Sequence, residues 1–305
     1  MRDAFANEIK RLSEANKNVV LLSGDIGNRM FDKYKSVSPE RFFNCGIAEA
    51  NMMSLASGMA LCGLKPVIYT ITPFTTTRCL EQIRIGVAYH NAPVVIVGTG
   101  SGLSYSELGP THHSLEDIAI LRAVPNINIL TPSDKQELTT QLQEAISMNT
   151  PSYMRIGKKG EPDLFNESHN LGIGKANILK EGEEILIIGI GPILIEAIEA
   201  AKSLKNDGLN IGVASMGSIR PLDDDFLRKM ISKKYKYWIT LEEHGIVGGL
   251  GSTLIEWCSD KQLYDIKIKR LGVKNEFIHK LGNQSYTRNI LGIDKKGIIN
   301  TIKEL

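Results

Sequence analysis

The stretch PVIYTITPFTTTRCLEQIRIGVAYHNAPVVIV, residues 66–97, decides the fold. Its two ends, Pro66-Val67-Ile68-Tyr69 and Pro93-Val94-Val95-Ile96-Val97, are short apolar runs that read as buried strands. Between them, residues 77–89 carry apolar side chains at helical spacing. Strand, helix and strand in that order imply a crossover, and hence a parallel sheet. Working outward, residues 19–22 and 128–130 repeat the strand pattern, and residues 51–61, 115–121 and 134–148 the helical one. The expectation is an α/β fold with a doubly wound, mostly parallel sheet, its ligands at the carboxyl ends of the strands.

Beyond Tyr153-Met154-Arg155 the pattern lapses into a polar, turn-rich segment running from Gly157 to Gly174. A second alternating series follows, with strands expected at 184–188, 211–214, 237–241 and 267–271 and helices at 193–204 and 250–258. Two domains result: residues 1–158, a linker over 159–178, and a smaller α/β domain over 179–305. A length of 305 residues fits that division, since single cores usually hold roughly 100–200.

Hydrophobic residues at 42% and charged residues at 23% are ordinary for a globular protein, so no tract is forced to stay disordered. A net charge of +2 without a basic stripe argues against nucleic acid, and no long basic block offers itself to a membrane surface. Small-molecule chemistry is favoured. Cys45, Cys62, Cys79 and Cys258 show no Cys-x-x-Cys spacing, and most sit in apolar helical patterns where reduced, buried thiols are expected. With no apolar leader after Met1 and no 18-residue apolar run, a cytoplasmic address is expected. Gly189-Ile190-Gly191 follows a strand, but Leu194 replaces the third glycine of a dinucleotide fingerprint.

Phe43-Asn44-Cys45-Gly46-Ile47-Ala48-Glu49-Ala50-Asn51 places a carboxylate among small residues at the start of an apolar helix. On its own, Glu49 is open to reading as a charge that complements the helix dipole. Some sixty residues on, Leu108-Gly109-Pro110-Thr111-His112-His113 sets two imidazoles on a loop, which by themselves read equally as surface residues. Together the two segments resemble the transketolase family. Gly46-Ile47-Ala48-Glu49 is similar to the motif of its pyrimidine-binding domain, and Gly109-Pro110-Thr111-His112 to its active-site turn. Glu116-Asp117-Ile118-Ala119, Arg122, Pro125-Asn126, Pro132-Ser133-Asp134, Tyr153-Met154-Arg155 and residues 242–252 follow in the family's order.

That resemblance implies thiamine diphosphate as cofactor and transfer of a two-carbon ketol unit from a ketose to an aldehyde. It makes Glu49 the partner of the aminopyrimidine, with a pKa tuned by burial and by the ring nitrogen it faces. It makes Phe74 the ring stacked beneath the pyrimidine, with Tyr69 as a rival, and puts Ile47 and Asp25 beside the cofactor. Ser23-Gly24-Asp25-Ile26-Gly27-Asn28 also reads as a plain strand-to-helix turn. His112 becomes the partner of a substrate oxygen, ahead of His113. Arg2 and Arg155 fall where the family anchors phosphate, whereas Arg29 replaces a serine and Gly100 a histidine; surface salt bridges account for these arginines equally.

Leu108 departs from the family's pattern, in which an Asp before the turn reads a sugar hydroxyl. Leucine cannot accept that hydrogen bond, so a non-standard sugar or sugar phosphate is expected. The family's Gly-Asp-Gly and following Asn, which grip the diphosphate and a Mg²⁺ or Ca²⁺ ion, are absent, so no metal site is assigned to these residues. A separate N-terminal, diphosphate-binding subunit is expected to supply them in an α2β2 heterotetramer. Three other readings stand beside this one: a 2-oxoacid dehydrogenase β subunit, a deoxyxylulose phosphate synthase relative, and a non-catalytic regulatory subunit on the same fold.

Overall fold

The computed structural model describes residues 1–166 and 168–305, the side chain of Asn28 excepted; Glu167, within the expected linker, lies outside the described residues. The apolar runs form strands because they are buried on both faces, the condition under which a parallel sheet is stable. In the first half these are β1 (Val19–Ser23), β3 (Lys65–Ile71), β4 (Val95–Thr99), β5 (Asn128–Leu130) and β6 (Ser152–Ile156), with β2 (Phe42–Asn44) added as a largely exposed edge strand. All pair in parallel. The second half supplies β7 (Asn177–Lys180), β8 (Ile185–Gly189), β9 (Gly212–Ser215), β10 (Ser218–Arg220), β11 (Tyr237–Gly245) and β12 (Lys267–Val273). Its sheet runs β12-β11-β8-β9-β7, antiparallel only at β7.

One strand crosses the boundary drawn from sequence. β10 pairs antiparallel with β5, so the first sheet reads β10-β5-β6-β4-β3-β1-β2 and ends on a strand from the second half. The buried apolar core is likewise shared: one cluster runs from Met52, Ile68 and Ile96 to Leu186, Trp238 and Leu254. Polar ties through Glu243 join the two halves. Arg155 and Asp117 form a buried ion pair, and Arg155 Nη2 also donates to the Glu243 carbonyl at 3.3 Å. The Glu243 carboxylate accepts from the Leu103 N–H at 3.2 Å. Gly248, with φ of 76°, lies so close to Ala119 that a Cβ would stand 2.5 Å from the alanine methyl. The turn at Gly248 and Gly249 thus seats an interdomain contact within the chain.

His244 in that joint is fully buried, its Nδ1 2.7 Å from the Gly245 carbonyl and its Nε2 3.4 Å from the Ala119 N–H. Burial pushes its pKa down to about 4, leaving a neutral ring with a structural task. Glu242 caps the helix Leu250–Asp260 by accepting the N–H groups of Leu250 and Gly251 at 2.7 and 3.0 Å.

Two expectations need correction. The helix read over 77–89 is a series of short turns, Thr72–Thr75, Thr77–Cys79 and Leu80–Gln82, ending in a widened helical turn at Ile83–Tyr89. Pro73 opens the first of them and starts the winding directly at the end of β3. The cysteines are all unbridged, but only Cys79 and Cys258 are buried; Cys62 follows the last turn of the helix Glu49–Leu61 into solvent and Cys45 is half-buried. No described helix is long and apolar enough to cross a membrane.

Candidate active site

The loops after β1, β3 and β4 leave the carboxyl ends of adjacent parallel strands, and each delivers one part of the site. After β1 comes Gly24, where the missing Cβ permits a close approach: an added Cβ would meet Thr70 Oγ1 at 3.1 Å and Glu49 Cγ at 3.5 Å. Glu49 is the first residue of the helix Glu49–Leu61 and is 2% exposed. It is a carboxylate held at a helix N-terminus, but one buried at the end of a sheet and not spread on a surface. Its Oε2 accepts from Arg78 Nη1 at 2.8 Å. Thr70 is fully buried beside it, and its Oγ1 has no hydrogen-bond partner. A buried hydroxyl left unpaired is costly, so Thr70 Oγ1 beside Glu49 and Gly24 is a polar group in want of a partner.

Phe74 stands on the turn after β3, and the imidazole of His112 meets its ring edge-on at 5.4 Å. On its other side His112 lies 6.1 Å from the Tyr105 ring. Lys158 Nζ sits 4.4 Å from the Tyr105 ring centre and 3.1 Å from Glu107 Oε1. Glu49, Arg78, Phe74, His112, Tyr105 and Lys158 therefore form one continuous line of contacts along the carboxyl edge of the sheet. Burial, and then the neighbouring His113, lower the pKa of His112 below the ordinary value, which favours the neutral ring. Its Nδ1 lies 2.9 Å from Thr111 Oγ1. His113 is buried, with Nε2 on the Ser106 carbonyl at 3.0 Å, and holds the loop together.

The other sequence-selected residues spread around this line. Asp25 adopts φ of 55° and accepts from Asn44 Nδ2 at 2.9 Å, while Asn44 Oδ1 takes the Gly46 N–H at 3.0 Å; the pair positions the turn into Glu49. Ile47 is 83% exposed and projects outward from that turn. Leu108 is 50% exposed at the mouth, next to the Gly-Pro-Thr-His turn. Tyr69 is fully buried and stacks on Phe5 at 5.2 Å, so it belongs to the core. Arg2 is half-buried, its Nε without a partner, and Arg29 is exposed.

Arg155 does not stand on a cleft wall. It is 5% exposed and forked onto Asp117, because β6 runs through the middle of the sheet and turns this side chain into the domain junction. The cation that does reach a cleft is Lys158, three residues further on. With Ser101, Ser104, Lys159, Gln284 and Arg288 it lines a polar cavity of about 500 Å³ between the two halves. A sequence signal existed, since two lysines directly follow the last sheet residues of β6 and Gly157. Gly100 has φ of 74°, and a Cβ there would overlap the Tyr105 ring, so the tyrosine fills the space a side chain at 100 would need. No grouping of three or more His, Cys, Asp or Glu side chains able to hold a metal ion occurs among the described residues.

Comparison with known proteins agrees with this geometry. Residues 1–161 match the model of the transketolase pyrimidine binding domain and residues 174–298 that of the transketolase C-terminal domain. One of the subunits of the apulose-4-phosphate transketolase of Phocaeicola vulgatus is 32% identical over 306 residues, spanning 99% of this chain and 96% of that protein. The 1-deoxy-D-xylulose-5-phosphate synthase of Halothermothrix orenii is 33% identical over 99% of this chain, which spans 47% of the synthase. A solved structure described as a split gene transketolase, inactive beta4 tetramer, superposes with a TM-score of 0.90 at 29% identity, covering 99% of this chain and 97% of that one.

Proposed function

The chain belongs to the transketolase family, and from that premise we propose that it is the pyrimidine-binding and C-terminal subunit of a split transketolase, moving a two-carbon ketol unit from a ketose to an aldehyde. The observation that carries the reading is the buried Glu49 carboxylate at the carboxyl end of the sheet, with the unpartnered Thr70 hydroxyl and Gly24 beside it and the Phe74 ring close by. Those groups fit an aminopyrimidine: an acceptor for a ring N–H, a second polar contact, and an aromatic face.

Thiamine diphosphate, when bound, supplies an acidic thiazolium C–H and an electron sink for the ketose carbonyl. Glu49 would hold the pyrimidine nitrogen by a hydrogen bond, and its burial would keep water from competing for that contact. Phe74 supports the ring face, while Ile47 and Asp25 border the cofactor from the β1 and β2 side. His112, neutral and set between Phe74 and Tyr105, offers a ring nitrogen to the substrate oxygen on which charge develops. Arg2, Arg29 and Lys158 are the cations left to meet an anionic substrate tail, since Arg155 is engaged by Asp117.

The diphosphate and its Mg²⁺ or Ca²⁺ belong, in this reading, to a second, N-terminal subunit in an α2β2 assembly, because no metal-binding cluster occurs among the described residues here. Leu108 at the mouth supports a sugar outside the usual pentose and hexose phosphates, and the naming of one relative for apulose phosphate points the same way. A second reading, pyruvate-dependent synthesis of a deoxysugar phosphate, draws on the 33% identity to the synthase. The deciding experiment reconstitutes the chain with its partner and measures ketol transfer beside CO₂ release from pyruvate. Ketol transfer without CO₂ is expected; CO₂ release coupled to a new sugar phosphate would replace the proposal with the synthase reading.

A further inference from the structure

Arg78 answers the negative charge of Glu49 in an unusual way. It rises from the short turn Thr77–Cys79 with 46% of its side chain exposed, yet its Nη1 reaches the buried Glu49 carboxylate at 2.8 Å. Its guanidinium carbon lies 4.1 Å from the centre of the Phe74 ring. A flat cation so placed uses the two features that a flat aminopyrimidine would use, the carboxylate in its plane and the aromatic ring against its face. One carboxylate oxygen and one ring face cannot serve both at short range.

We propose that Arg78 is a latch on the cofactor slot, resting in the place of the aminopyrimidine in the unloaded chain and swinging outward when the cofactor enters. The inference rests on the assignment of Glu49 to the pyrimidine ring. Three observations support movement of the arginine. Its side chain is half in water, so an outward rotamer is at hand without repacking the core. The turns around it are short and irregular, unlike the regular helix Glu49–Leu61 that carries the carboxylate. The latch is also incomplete: Thr70 Oγ1, packed against Gly24 beside Glu49, stays buried and unpaired while Arg78 is seated. An entering ring with a further polar edge satisfies a group that the guanidinium does not.

While the latch is closed, Glu49 is neutralised by a permanent cation and has no ring nitrogen with which to exchange a proton. The latch therefore makes loading a two-step event, opening and then docking, and its outer half is screened by salt. The test follows loading of thiamine diphosphate with Mg²⁺ into the chain assembled with its diphosphate-binding partner, read by near-ultraviolet circular dichroism after rapid mixing. If the open slot occupies about a tenth of the wild-type population, Arg78→Met loads about tenfold faster. Arg78→Lys, which keeps the charge but not the flat fork, falls between. Loading of Arg78→Met at the wild-type rate or slower overturns the latch. Glu49→Gln separates the two claims: if it leaves the dichroism of the bound cofactor unchanged, the assignment of Glu49 to the ring fails and the latch with it. If it alters that signal while Arg78→Met loads no faster, only the latch fails.

Discussion

Arg155 and Asp117 meet as a fork on a fork beneath the domain junction, Nε to Oδ2 at 2.8 Å and Nη2 to Oδ1 at 3.2 Å. Tyr153 adds its hydroxyl to Oδ2 at 2.6 Å. Burial alone would raise the pKa of Asp117, but the Arg155 guanidinium, with the Tyr153 hydroxyl, outweighs it and holds the carboxyl below its ordinary value. The pair is then a fixed charge couple that ties β6 to the helix Asp117–Arg122, and through it Arg155 is held on the Glu243 carbonyl of the second half. Removing one member strands the other in a dry interior: Asp117→Leu or Arg155→Met should each lower stability by about 3–5 kcal/mol, whereas the double variant carrying both changes should cost clearly less than their sum. Urea denaturation of the four proteins measures the coupling, and additive losses would show that the two side chains act separately.

Glu49→Gln keeps the size of the side chain and one acceptor oxygen but cannot take up a proton. Turnover of the assembled enzyme should fall by about 100-fold or more, the range spanned by loss of an acid–base group. Its melting temperature should stay close to the wild-type value. Near-normal turnover would favour the reading of this chain as a regulatory subunit.

Leu108, half exposed beside the His112 turn, offers no hydrogen bond to a hydroxyl that an aspartate would bind. Leu108→Asp should shift kcat/KM toward fully hydroxylated donors by about tenfold or more, because a site built to pair a hydroxyl discriminates strongly against its absence. An unchanged ratio of rates between hydroxylated and modified donors would remove residue 108 from the specificity argument.

Glu137 gives a pH dependence far from the active site. Its Oε2 accepts the Ser133 N–H at 2.6 Å, its Oε1 has no partner, and burial raises its pKa to about 8. The native state therefore holds a proton that the unfolded chain releases near the ordinary value of about 4.5. The contribution is fully present below that value and is lost as pH rises toward 8, so stability from this residue declines across that window. Glu137→Gln should flatten the decline in denaturant midpoint between about pH 5 and 8. An unaltered pH slope would place the titration elsewhere.

The strands that matter for the site were legible because burial on both faces writes continuous apolar runs, as in Val19–Ser23 and Val95–Thr99. β10 was not, since three residues between two turns carry no periodicity and pair only because β5 presents an open edge. The single helix read over 77–89 failed for a related reason: apolar spacing records which face is buried, and it is blind to how Pro73 and the threonines around it wind the backbone. Glu49, Phe74 and His112 were reachable through their motifs, and the structure brings Phe74 into contact with both His112 and the arginine that holds Glu49. Arg155 shows the limit of register. A position on β6 differs from Lys158 by three residues, and that interval separates a side chain clamped in the interior from one that reaches water. Arg78 and Thr70 have no meaning in sequence alone, because one is defined by what it covers and the other by what it lacks.

The strand that the second half lends to the first sheet has a mechanical corollary. Cleavage of the peptide chain within residues 159–174 would sever the covalent link and yet leave the fragments clasped, through β10 on β5 and the common apolar core. Such nicked protein should travel as one particle through a sizing column and come apart only when denatured, so the two halves are a single cooperative body joined by backbone pairing as much as by the thread between them.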